Sequence, residues 1–182
     1  NGTNGTNGTN GGNGGSNDFS AFEALDNNQV TFDGQTTELA RLTYNDFGIG
    51  WVQIIGGTLV PCMGFTVLFN ELPTETGIYK HATSNNILEI PDGEYVLQQV
   101  RDSNCDPWYP TATEDNGTYD MDADLYVQVE DGKMSLGFID ATVNDNEFPS
   151  LVQNSVLASG KITFELSTLD SLDSGNSGPL TD

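Results

Sequence analysis

From Asp120 to Glu130 every second residue is apolar: Met121, Ala123, Leu125, Val127 and Val129 fall on one side, and Asp120, Asp122, Asp124, Tyr126, Gln128 and Glu130 on the other. A two-residue period of this length fits a strand with one buried and one wet face, because successive strand side chains point to opposite sides. The same alternation returns in Lys161 to Leu166, where Ile162, Phe164 and Leu166 interleave with Lys161, Thr163 and Glu165. Turn chemistry separates the runs. Val30-Thr31-Phe32 leads into Asp33-Gly34, and Val127-Gln128-Val129 leads through Glu130-Asp131-Gly132 to Met134-Ser135-Leu136; Asp-Gly between such runs is a strong hairpin signal. Pro91-Asp92-Gly93, between Ile87–Ile90 and Tyr95–Val100, marks a third hairpin with a longer turn. Further strands are expected at Glu38–Tyr44, Ile49–Ile55, Gly64–Phe69, Met134–Val143 and Val156–Leu166. The expectation is an all-β fold, an antiparallel β-sandwich or barrel of about nine strands. Only Phe19 to Leu25 is expected to form a helical turn or two.

The ends read differently. Residues 1 to 17, NGTNGTNGTNGGNGGSN, repeat Asn-Gly-Thr and then decay into Gly and Asn without one apolar side chain. Such a segment has nothing to bury against the entropy of ordering and is expected to act as a flexible tether. Asn1, Asn4 and Asn7 each head a glycosylation sequon and Asn116 heads a fourth, so a glycosylated stalk is the sharper reading. Residues 167 to 182, STLDSLDSGNSGPLTD, share this polar character and are expected to form a flexible tail after an all-β domain at 18 to 166.

Five Lys and Arg against 27 Asp and Glu give a net charge of −22. A polyanion of this density repels phosphate backbones and anionic headgroups, so no nucleic-acid partner is expected. One His and two Cys remove most zinc, haem and iron–sulfur schemes. Cys62 and Cys105 are read as a disulfide of an exported chain, worth about 4 kcal/mol for a loop of that length. Two buried thiols or a metal pair are the alternatives, and the metal pair lacks further ligands.

Candidate sites are few. Asp120, Asp122 and Asp124 look like the start of a calcium loop, yet the sixth and twelfth positions are Leu125 and Asp131 where an EF-hand needs Gly and Glu. The three carboxylates therefore read as a solvated strand face, or as a looser calcium site with Asp115 or Glu114; no other cofactor is expected. His81 has no Gly-x-Ser-x-Gly nucleophile elbow to serve and is expected to face solvent. Carboxylate pairs for acid–base chemistry cannot be singled out among 27, and no enzymatic activity is expected. Asp106-Pro107-Trp108-Tyr109-Pro110 follows Cys105. Prolines stiffen it, so Trp108 and Tyr109 are expected either to stand on a loop as an aromatic platform for sugar or protein, or to cover one end of the core. Trp51 is expected in the core.

Several segments together resemble surface lipoproteins of the Bacteroidetes type, a group of small all-β domains of unknown function on polar tethers. Asn1–Asn17 looks like their tether, Val30-Thr31-Phe32-Asp33-Gly34-Gln35 like their opening hairpin, Leu72-Pro73 with Gly77-Ile78-Tyr79 like their strand entry, and Gly160-Lys161-Ile162-Thr163-Phe164 like their closing strand. The resemblance implies export, display on the outer cell surface, and a non-catalytic binding or accessory role in a surface assembly with a protein partner. Membrane attachment would come only through an upstream lipid anchor, which this chain does not carry. Two other roles fit the same reading: a structural subunit of a pilus or extracellular filament, and a carbohydrate-binding module with a glycan ligand.

Overall fold

The computed structural model describes residues 18–47, 52–58, 62–82, 90–110, 112–113, 118–119, 123–145, 152–172 and 177–180. Fourteen strands and two short helices occur among them. The strands are β1 (Gln29–Phe32), β2 (Gln35–Glu38), β3 (Arg41–Asp46), β4 (Val52–Gly57), β5 (Gly64–Phe69), β6 (Gly77–His81), β7 (Glu94–Arg101), β8 (Pro107–Pro110), β9 (Ala112–Thr113), β10 (Thr118–Tyr119), β11 (Leu125–Glu130), β12 (Lys133–Asn144), β13 (Ser155–Glu165) and β14 (Ser177–Pro179). The helices are α1 (Ser20–Glu23) and α2 (Leu166–Leu169).

Twelve strands belong to one continuous sheet, ordered β14-β3-β4-β5-β7-β6-β11-β12-β13-β1-β2, with β8 bridging β7 and β12 and with β9 and β10 forming a separate pair. The sheet folds onto itself. One layer holds β14, β3, β4, β5 and β7; the other holds β11, β12, β13, β1 and β2. At one end of β7, β6 pairs with it in parallel through Lys80 and His81 opposite Glu94 and Tyr95. At its other end β8 pairs antiparallel through Trp108 opposite Val100. Those two bridges stitch the layers together, so the architecture lies between sandwich and barrel.

The layers meet through alternate side chains. Phe65 of β5 packs edge-on against Phe138 of β12, ring centroids 5.1 Å apart. Close approach elsewhere requires glycine: a Cβ on Gly56 would stand 2.6 Å from Ile162, and one on Gly160 would stand 2.8 Å from the Phe65 ring. Val30, Leu42, Ile54, Val67, Leu97, Leu125, Val127, Leu136 and Ile162 complete a core in which each is fully excluded from water. Two turns fix the register. Asp33-Gly34 and Asp131-Gly132 adopt positive φ at both residues (48° and 74°, 50° and 80°), the type I′ geometry that suits the twist of two paired strands.

The all-β architecture follows the alternation, and α1 falls within the Phe19–Leu25 window. More strands occur than the nine expected, since β2, β8 and β14 are too short or too polar to show a period. The stretch read as a loose C-terminal tail contributes α2 and β14: Leu169 and Leu172 are buried in the core, and Ser177–Pro179 pair with Arg41–Thr43 of β3. His81 is not solvent-facing but 8% exposed, its ring edge-on to Tyr95 and its Nδ1 2.8 Å from the Ala82 carbonyl oxygen. The β6–β7 pairing carries it inward. Trp51 and the strand expected at Ile87 lie outside the described residues, as do the tether and its Asn1, Asn4 and Asn7, and Asn116.

Candidate functional site

Trp108 and Tyr109 lie on strand β8, not on a loop. Adjacent strand residues point to opposite faces, so the two rings cannot share one platform. Trp108 turns inward, edge-on to Phe32 at 5.0 Å, and its indole N–H donates to Asp102 Oδ2 at 3.3 Å. Of the three aspartates, Asp120 and Asp122 lie outside the described residues. Asp124 is ion-paired with Lys80, so a cation at Asp124 would have to displace an ammonium. Among the described residues no three His, Cys, Asp or Glu side chains stand close enough to share a metal ion. Cys62 and Cys105 form the disulfide, Cα atoms 5.0 Å apart, joining the β4–β5 connection to the β7–β8 turn.

The five cations distribute unevenly. Lys80 pairs with Asp124, and Lys133 pairs with Glu165 at 3.2 Å. Lys161 is buried under α1: its ammonium donates to the Phe22 and Leu25 carbonyl oxygens at 3.4 and 3.2 Å and lies 4.7 Å from the Phe22 ring centroid. Burial pulls its pKa down, while Glu23 and Asp26 push the other way. Arg41 and Arg101 remain, and neither forms an ion pair among the described residues.

Both arginines lie on the same surface. In the first layer Leu42, Ile54, Phe65 and Leu97 point into the core, so their neighbours point out. Cross-strand register then places Arg41, Gly57, Gly64 and Arg101 in one row over β3, β4, β5 and β7. The next row is Thr43, Ile55, Thr66 and Gln99, and the third is Asn45, Gln53, Leu68 and Val96. No carboxylate occupies any of these twelve positions, in a chain carrying 27. Asp102, next to Arg101, is engaged in the β7–β8 turn, where its carboxylate accepts the backbone N–H groups of Asn104 and Asp106 at 2.8 and 3.1 Å and the Trp108 indole.

The two glycines make a floor on the Arg101 side of this row. Together with Ile55, Gly56, Cys62, Met63, Phe65, Thr66, Gln99 and Arg101 they line a depression of about 270 Å³, which Arg41 does not border, just below the range of about 300–1,000 Å³ typical of drug-sized sites. At Gly64 a Cβ would run into the Gly56 carbonyl and the Gly57 Cα, so the site is flat by backbone necessity. Arg101 is steadied by an Nη1–H bond to the Cys105 carbonyl at 3.3 Å, which ties the guanidinium to the disulfide-bearing turn. An amide ladder runs alongside: Asn45 Nδ2 donates to Gln53 Oε1 at 2.8 Å, and Gln53 Nε2 donates to Gln98 Oε1 at 3.0 Å. Ala82 and Ile90 cover Leu68 and Val96, closing the third row; in the other two rows Gly64 and Thr66 are buried, Thr43, Ile55, Gly57 and Gln99 are half-buried, and Arg41 and Arg101 are exposed. Chemically this surface offers guanidinium donors, amides and hydroxyls over a side-chain-free floor.

Alternation finds β4 and β5, but nothing local reveals that Arg41 and Arg101, far apart in sequence, share a row. Gly57 and Gly64 were the available signal, because glycine inside a strand marks close approach by a backbone or a ligand. No known protein family, curated protein or solved structure matches the chain.

Proposed function

We propose that this chain is a non-catalytic, extracellular or cell-surface β-domain that acts as a binding or accessory subunit of a surface assembly, engaging its partner through the outer face of the β3-β4-β5-β7 layer. One observation carries the reading: the face built from the Arg41 and Thr43 rows is free of carboxylates in a chain of net charge −22. Elsewhere self-repulsion and hydration favour staying in solution; at this face an approaching neutral or anionic surface meets guanidinium, amide and hydroxyl groups instead. The Cys62–Cys105 disulfide supports an oxidising compartment, and no helix among the described residues is long and apolar enough to cross a membrane. The lipoprotein-like tether supports display.

The test is retention of the whole chain on arrayed surface polysaccharides and on an outer-envelope fraction, before and after Gln99→Glu, a change at a half-buried position of this face. Retention abolished by the added carboxylate, with the melting curve unchanged, supports the reading. Retention indifferent to Gln99→Glu, or release of cleaved products from the array, overturns it.

A filament subunit is the second reading, favoured by β14, a three-residue strand laid along the edge of β3 near the C-terminus, where a segment exchanged between copies would sit. Size-exclusion chromatography separates the two: regular concentration-dependent polymers favour the filament, and a sharp monomer peak eliminates it.

A further inference from the structure

We propose that the depression beside Arg101 binds a carboxylate-bearing sugar, a uronic-acid residue displayed on a glycan, with Arg101 pairing with the carboxylate and the ring lying on the Gly57–Gly64 floor. This inference rests on the binding-domain reading and names the ligand of the same face. Three features select the chemistry.

The first is charge. Arg41 and Arg101 occupy the ends of one cross-strand row, three strand spacings or about 14 Å apart at Cα, with no described carboxylate paired to either. A guanidinium presents a planar fork that matches a carboxylate. The second is shape. The glycine floor beside Arg101 carries no side chain, Ile55, Met63 and Phe65 give it apolar walls that a sugar ring's C–H face can lie against, and a volume of about 270 Å³ suits a single ring. The third is the polar flank: Gln99 borders the floor, and the Asn45–Gln53–Gln98 amides run along the same face. Hydroxyls along a sugar chain need such donors and acceptors; a bare dicarboxylate or aromatic acid does not. Net charge excludes a long polyanion lying across the molecule, since only the local arginines attract it while the remaining surface repels it over about 8 Å at physiological ionic strength. A single acidic residue at a glycan end avoids that repulsion.

Gly57 supplies a clean block. A Cβ there would lie 3.9 Å from its nearest neighbour, the Met63 carbonyl, so Gly57→Leu fills the floor without a clash at the backbone. The experiment titrates the full chain with methyl galacturonoside and with a trisaccharide of two neutral galactoses ending in one galacturonic acid, using methyl galactoside and succinate as controls, and follows backbone amide shifts at Gly57, Gly64, Gln99 and Arg101. Saturable shifts with both uronates, absent with the neutral glycoside, are expected. Arg101→Gln should weaken binding by about tenfold or more, Arg101→Lys should restore only part of it, Gly57→Leu should abolish it, and Lys133→Gln on the far layer should leave it unchanged. Tighter binding of the trisaccharide identifies the glycan as the source, whereas equal affinity for the monosaccharide transfers the role to a free sugar acid and overturns the glycan assignment. Equal binding of methyl galactoside, unaffected by Arg101→Gln, overturns the carboxylate assignment while leaving the binding-domain reading standing. Equal binding of succinate overturns the sugar assignment. No shift at the floor with any of the four overturns the whole inference, and the Gln99→Glu retention experiment then decides the broader reading separately.

Discussion

Gly160→Ala tests the face-to-face packing on which every surface assignment depends. Gly160 has ordinary negative φ on β13, so alanine meets no backbone penalty; its Cβ instead meets Phe65 Cε1 at 2.8 Å, Cδ1 at 3.0 Å and Phe138 Cε1 at 3.5 Å. Phe65 is 1% exposed and held edge-on by Phe138, which leaves it no open side to move toward. Overpacking of this kind costs about 1–3 kcal/mol, offset in part by the roughly 0.5–1 kcal/mol that alanine gains over glycine through the unfolded chain. The net expectation is a loss of about 0.5–2 kcal/mol, read as a lower urea midpoint at constant slope. The mechanism makes a sharper claim in the Phe65→Leu background. With the ring gone, the same Gly160→Ala change should be neutral or stabilising, giving a coupling of about 1–3 kcal/mol in the double-mutant cycle. Equal effects of Gly160→Ala in both backgrounds would refute the reasoning, because the two layers would then not touch where Gly160 and Phe65 place them.

Tyr95 governs alkaline stability. Its hydroxyl is buried and donates to the Ala123 carbonyl at 2.9 Å; burial first, then Asp124, raise its pKa above the ordinary 10.0. The unfolded chain therefore loses this proton before the folded one does, so stability present below pH 10 falls as pH rises through and beyond it. Tyr95→Phe should flatten that alkaline limb in pH-dependent urea melts while costing about 0.5–1.5 kcal/mol at neutral pH; an unchanged limb assigns the loss to other groups. Cys62→Ser with Cys105→Ser, opening a link between residues 43 apart, should lower stability by about 4 kcal/mol, and an undisturbed melting curve would contradict this. Lys161→Met should release α1 at a cost of about 1–3 kcal/mol, by removing a charged donor from two carbonyls and from the Phe22 ring. Hydrogen exchange of residues 20–25 reads it directly: accelerated exchange is expected, and unaltered protection counts against the anchor.

What the sequence made legible was local. Alternation placed Leu125 and Val127 inside and Asp124, Tyr126 and Gln128 outside, and Asp33-Gly34 and Asp131-Gly132 fixed two hairpins, because pleat and turn conformation act over a few residues. The candidate site escaped because it is a product of register. Arg41, Gly57, Gly64 and Arg101 become neighbours only after three strand pairings are set, and the β7 irregularity opposite Thr66 and Val67 shifts part of one of them. His81 misled for a similar reason: its run Gly77–His81 is polar, but the parallel pairing of His81 with Tyr95 draws the imidazole under cover. For Trp108 and Tyr109 the sequence leaves two readings, a loop platform or a cover over the core, and only the pairing of β8 with β7 and β12 turns Trp108 toward Phe32.

The placement of α1 gives the molecule a direction. Phe22 stacks on Tyr126 and sits beside Lys161, both pointing outward from the β11-β12-β13 layer, whereas the depression beside Arg101 opens from the opposite layer. A leash attached ahead of Asp18 would thus grip the back of the domain and turn the proposed binding face away from whatever the leash is fixed to. Tension on that leash would enter through the Lys161 clamp and travel through the whole thickness of the protein before reaching a captured ligand.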